Sequence, residues 1–157
     1  MSRELEFRAD ALAAVRKMNA FAFPIESTAG VGVFDSGIVH AGSASFVEFK
    51  APPGWPVRGT SHVFVSTYSL STSQIAWGRL VQNNGGTALV LARIPTPSGY
   101  MYILTDNIVG FNSLTKEQLT AQKTCTRVYT KDGSMFKSPK LSLTLDVLLS
   151  WESSKCQ

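Results

Sequence analysis

Leu141-Ser142-Leu143-Thr144-Leu145-Asp146-Val147-Leu148-Leu149-Ser150-Trp151 places an apolar residue at every second position, with Leu148 the one apolar residue among the intervening ones. Strand side chains alternate between faces, so this spacing predicts one long strand with an apolar face. A long terminal strand needs a sheet to lie in, and the rest of the chain is read outward from it.

Upstream, several runs follow the same logic. Ser45–Lys50 reads as a strand closed by the Pro52-Pro53-Gly54 turn. Ser61–Tyr68 alternates Val63, Val65 and Thr67 against His62, Phe64, Ser66 and Tyr68. Gln74–Gln82 alternates Ile75 and Trp77, with Val81 beyond. Asn83-Asn84-Gly85-Gly86 has hairpin chemistry, because Asn and Gly tolerate positive φ. Thr87–Ile94 then returns as a strand apolar enough to be buried on both faces. Shorter strands are expected at Phe21–Ile25, Ala29–Phe34, Tyr100–Leu104, Thr124–Thr130 and Met135–Lys137. Ser2–Ala20 is the one convincing helix, with Leu5, Leu12, Val15 and Met18 on its apolar side. Thr115 with Gln118 resembles a capping box and allows a turn or two of helix.

Eight or nine strands at short intervals, separated by Gly, Pro and Asn turns, predict an all-β fold: an antiparallel, jelly-roll-like β-sandwich with a short N-terminal helix. The 157 residues suit a single domain, 1–157, with residues 1–20 as a helical arm. Charged residues are only 17% of the chain, a hint that a partner covers part of the surface. Two cysteines, Cys125 and Cys156, make no disulfide framework and fit a reducing compartment, with Cys125 expected as a small core residue. No apolar leader opens the chain, no run is long enough to span a membrane, and no N-x-Ser/Thr site occurs.

The net charge of +4 sits in one stretch. Lys116, Lys123, Arg127, Lys131, Lys137 and Lys140 face only Glu117 and Asp132 there. That stretch is a candidate nucleic-acid face, or a solvated edge where Lys deters pairing.

Chemistry is sparse by motif. His40 and His62 lack neighbours at ligand spacing, so no metal and no cofactor is expected, and the chain is expected not to be an enzyme. Val33-Phe34-Asp35-Ser36-Gly37 resembles the signature of aspartic proteases. A single copy implies a dimer in which two aspartates share a proton. Trp55, framed by Pro53-Gly54 and Pro56, could stack on a sugar or base, or form a subunit contact.

The order of elements, a helix at Ser2–Ala20, about eight strands, Pro/Gly-rich connections and the strand Leu141–Trp151, resembles the coat proteins of small icosahedral RNA viruses. That resemblance implies a self-assembling capsid protein whose partners are other copies of itself and viral RNA, with no membrane involved. It also implies residence in the virion and host cytoplasm, and subunit contacts through Leu5, Leu12 and Trp55. The alternatives are a ligand-binding β-sandwich for carbohydrate or a protein, and a dimeric protease acting through Asp35-Ser36-Gly37.

Overall fold

The computed structural model describes residues 2–26 and 32–151. Cys156 and residues 29–31 of the expected Ala29–Phe34 strand lie outside them. The fold is mixed α/β: one seven-stranded sheet with helices on both faces. Helix α1 (Arg3–Lys17) leads into β1 (Phe21–Pro24), β2 (Ser36–His40) and β3 (Ser43–Lys50). A crossover through α2 (Thr72–Asn83) reaches β4 (Thr87–Thr96) and then β5 (Gly99–Thr105). Helix α3 (Lys116–Ala121), the hairpin β6 (Val128–Thr130) and β7 (Gly133–Ser138), and α4 (Leu141–Leu149) complete it. The strand order is β1-β2-β3-β4-β5-β7-β6. Among the described residues only β3 and β4 pair in parallel, Ser45 opposite Thr87 through Lys50 opposite Ala92.

One apolar layer joins α1 and α4 to the sheet through Phe7, Leu12, Val15, Leu145 and Leu148 against Phe49, Leu91 and Leu104. The other lies beneath α2 and the loops, built on Phe34, Phe64, Val90, Ile103 and Phe111. Strands β3 and β4 lie between both layers, so Ala88–Ala92 are buried on either face, as their composition suggests. Each fully buried Leu, Ile or Phe contributes about 1.5–3 kcal/mol relative to exposure.

These two layers overturn the β-sandwich expectation at its starting point. The Leu141–Trp151 run is not a strand but α4 followed by Trp151. Leu141, Thr144, Leu145 and Leu148 share a helical face, with Thr144, Leu145 and Leu148 buried. The alternating pattern is compatible with this because Leu148 fills an intervening position, and leucine is a strong helix former.

The expected strand Gln74–Gln82 is α2. Ser71 Oγ accepts from the Gln74 amide while the Gln74 side chain accepts from the Ser71 amide, a complete capping box. Asn83-Asn84-Gly85-Gly86 therefore ends a helix instead of turning a hairpin; Asn84 Nδ2 donates to the Leu80 carbonyl and Gly85 takes φ +84°. Gly78 lets α2 sit close to Phe34 and Ile108 of the second apolar layer, since a Cβ there would lie 2.8 Å from the Phe34 ring.

Ser61–Tyr68 finds no sheet. Its only pairing among the described residues is a bridge from His62 to Thr115, and it ends in a 3-10 turn at Ser66–Tyr68. Thr124–Thr130 pairs only over Val128–Thr130. Cys125 is exposed, at φ +61°, not a core residue of a strand. Helix α1, the strands at Phe21, Ser43, Thr87 and Gly99, and the Thr115–Gln118 capping box are where the sequence placed them.

Candidate active site

Strand β3 alternates Val47 and Phe49 toward one apolar layer with Glu48 toward the other face, and Lys50 follows two residues on. Glu48 and Lys50 are 3% and 4% exposed, an unusual depth for two charged residues on one strand. Their partners come from three other segments. Asp35 enters β2, which pairs with β3, and its backbone amide donates to Glu48 Oε1 at 3.2 Å. Glu4 lies in the first turn of α1. Gln74, in the first turn of α2, donates through Nε2 to Glu48 Oε2 at 3.1 Å.

Oxygens of Glu4, Asp35 and Glu48 all lie within 4.8 Å of one another. Lys50 Nζ stands 3.6 Å from Glu48 Oε2. Three carboxylates thus face the Lys50 ammonium, with the Arg8 guanidinium also acting on Glu4 and Asp35. The Asp35 carboxylate is steadied by the Ser36 hydroxyl, which donates at 3.0 Å.

The imbalance shows in the acidities. Burial, reinforced by the charge of Asp35, pushes Glu48 up to about 8. Burial likewise raises Asp35 to about 6, against the opposing pull of the Ser36 hydrogen bond and Arg8. Glu4 is raised as well, burial again being the largest cause. Without added positive charge the cluster holds protons, because like charges this close cannot all ionise in a low-dielectric site.

The donor set fits a hard divalent cation. It offers only carboxylate oxygens, converging at one point, with a surplus of negative charge to be neutralised. Neither His40 nor His62 belongs to it, because its candidate ligands are carboxylates from three segments. His40 instead has a buried Nδ1 with no hydrogen-bond partner, and His62 is exposed.

Asp35, singled out through Asp35-Ser36-Gly37, is part of the site, but not as half of a proteolytic pair. Its neighbours are Glu4 and Glu48 of its own chain, so the dimeric-protease reading falls. Leu12 is buried in the α1–sheet layer at 3% exposure, Leu5 is exposed, and Trp55 is half-buried against the second layer.

The six basic residues of 116–140 do not form one open face. Lys137 is buried and donates to the Leu119 carbonyl at 2.9 Å. Arg127 lies over the Trp151 ring and donates to Ser134 Oγ at 2.8 Å. Lys116 is half-buried, whereas Lys123, Lys131 and Lys140 are exposed.

The missed residues were Glu4, Glu48, Lys50 and Gln74. The available signal was Glu48-Phe49-Lys50: two charges on the same side of a run otherwise apolar enough for a core strand.

The coat-protein reading rested on a jelly roll, and its implied capsid function, virion residence and non-enzymatic character go with it. The helix-covered mixed sheet removes its architecture, and the buried carboxylate–lysine cluster is a feature that a coat protein does not call for. The ligand-binding sandwich falls for the same architectural reason. Among the described residues, no helix is long and apolar enough to cross a membrane.

No family model matches the chain, and no curated protein matches it. Among solved structures it is similar to a Holliday junction resolvase, Hjc, from Archaeoglobus fulgidus. The TM-score is 0.43 at 13% identity, covering 92% of this chain and 89% of that one.

Proposed function

We propose that this chain is a divalent-cation-dependent phosphodiesterase that hydrolyses nucleic acid. The observation that carries the reading is the convergence of Glu4, Asp35 and Glu48 beside the buried ammonium of Lys50. Water adds to phosphorus, one ester P–O bond breaks, and the strand ends in a phosphate and a hydroxyl. A hard divalent cation bound by the three carboxylates would polarise the phosphate and acidify coordinated water.

The chain's own residues do the rest. Lys50 is placed to donate to the incoming water or to a non-bridging oxygen, countering charge that grows as the bond forms. Gln74 fixes the Glu48 carboxylate and is itself fixed by the Ser71 amide, so a helix cap orients a ligand. Ser36 does the same for Asp35.

The net charge of +4 and the placement of Arg3 beside Glu4 favour a polyanion over a small neutral ester. Exposed Lys123, Lys131 and Lys140 are proposed as phosphate contacts away from the cleavage centre. Self-association is compatible with this fold and is measurable by light scattering; a shell around viral RNA is not part of the reading.

The test is cleavage of single- and double-stranded DNA and RNA by the purified chain with magnesium or manganese. Cleavage should stop with EDTA and in Asp35→Asn and Glu48→Gln, with circular dichroism unchanged. No cleavage of any substrate, together with no thermal shift on adding either cation, would sink the proposal.

A further inference from the structure

Beside the cluster the surface opens into two hollows that share one residue. The first, about 490 Å³, is bounded by Ser2, Arg3, Glu4, Ala51, Thr67 and Tyr68. The second, about 390 Å³, runs along Pro52–Pro56 and is closed by His62, Val65 and Tyr68. Tyr68 belongs to both, and Ala51 and Pro52 directly follow Lys50 on the chain. Through Tyr68 the hollows run from Glu4, the one member of the cluster that lines them, to an aromatic and proline wall.

That wall is built oddly for a plain surface. Val65, which lines it, is 50% exposed. Trp55 rests one side on the second apolar layer while the other lines the groove. Ser66, a non-glycine residue, sits at φ +57° at the start of the turn that presents Tyr68. A left-handed conformation there costs about 1 kcal/mol or more, and such strain gathers where a ligand is held.

Resting on the phosphodiesterase reading, we infer that this groove takes an unpaired nucleotide next to the scissile phosphate, its base stacked on Trp55 and Tyr68. The chemistry selects the ligand. One end of the groove carries Arg3 and Glu4, the latter a member of the carboxylate cluster, suiting a cation-bridged phosphate; the other end offers aromatic and proline faces, suiting a flat apolar ring. A nucleotide joins those two properties at close range. In a duplex the base faces are already stacked on each other, so the preferred substrate has a single-stranded end, flap or branch at the cut.

The experiment uses the full chain in two assays. In the first, the Lys50→Met variant is titrated with a 15-nucleotide oligothymidylate, an oligouridylate of equal length and a blunt duplex, following tryptophan fluorescence. Quenching by single strands, weaker with duplex and absent when Trp55→Phe is added, is expected; DNA and RNA arms tell which backbone is preferred. In the second, wild type should cleave a duplex with a short unpaired tail in preference to the blunt duplex. Trp55→Leu and, separately, Tyr68→Leu should reduce that preference roughly tenfold, as loss of one stacked base predicts. Tyr68→Leu covers the case in which Trp55→Leu does not fold. Cleavage with equal preference in wild type and both variants would overturn the groove while leaving the phosphodiesterase intact. Single-strand quenching that depends on Trp55, with no cleavage by wild type, would support the groove and remove the phosphodiesterase.

Discussion

Lys50 and Lys137 lie on strands of the same sheet and are 4% and 5% exposed, yet they do opposite things. Lys137 extends from β7 to the end of α3, where Nζ donates to the carbonyls of Leu119 and Thr120. Those carbonyls have no partner within their own helix, so the lysine completes a backbone account. Burial lowers its pKa, and no carboxylate helps hold its proton. Lys50 faces the reverse: a surplus of carboxylate that it only partly balances. A buried lysine that satisfies carbonyls is structural. One that leaves excess negative charge beside it is what the proposed function requires of a site for a cation and an anionic substrate.

The comparison breaks most visibly at Lys50. Lys50→Met should lower phosphodiester cleavage by about 10³-fold, the scale of losing a preorganised charge, with the folded circular-dichroism spectrum kept. Retention of activity within threefold would make the two lysines alike. Lys137→Ala should reverse the pattern. It leaves the Leu119 carbonyl unsatisfied in the interior and should cost about 2–3 kcal/mol by denaturant unfolding. The specific activity of the folded fraction should stay within twofold of wild type.

A subtler effect separates the two sites by pH. In the metal-free protein, folded Asp35 and Glu48 keep protons at pH values where the unfolded chain, at 3.8 and 4.5, has lost them. Their contribution is complete below about pH 4 and is lost as pH rises through about 6 and then about 8. Stability without metal should therefore decline from pH 5 to pH 9. Glu48→Gln should flatten that decline and raise the melting temperature at pH 8.5; Lys137→Ala should leave its slope unchanged. An equal slope in wild type and Glu48→Gln would show that the carboxylates are not crowded. The smallest expected change is at Gln74. Gln74→Met should reduce cleavage about tenfold, as loss of a residue that orients a ligand does, and rescue by Gln74→Asn is not expected because the shorter amide does not reach.

What was legible in the chain follows the same division. Runs buried on both faces, such as Thr87–Ile94, have no competing reading, and α1 carries an acidic first turn and a basic last turn that mark its ends. Helices α2 and α4 were read as strands because Ile75, Trp77 and the alternate leucines satisfy period two as well as helical spacing. Ser71 and Gln74 held the deciding signal for α2, a cap that alternation does not register. Of the site, only Asp35 stood out, and for a turn motif, not for its neighbours. Glu4 and Gln74 reach it from residues 31 and 39 positions away, through pairing of β2 with β3 and the docking of two helices, none of which is written in local spacing.

The parallel pairing of β3 with β4 has a consequence in time. Glu4, Asp35, Glu48 and Lys50 all precede β4 in the chain, so one edge of β3 stays bare until residues 87–92 pair with it. Gln74 must also be in helix α2 before Glu48 is oriented. The segment up to β3 thus holds the three clustered carboxylates without the strand and helix that complete their surroundings. If the proposed function holds, hydrolytic competence would appear only with long-range closure of the sheet, its onset would serve as a clock for the last folding step, and amino-terminal fragments ending before β4 should be inert toward nucleic acid.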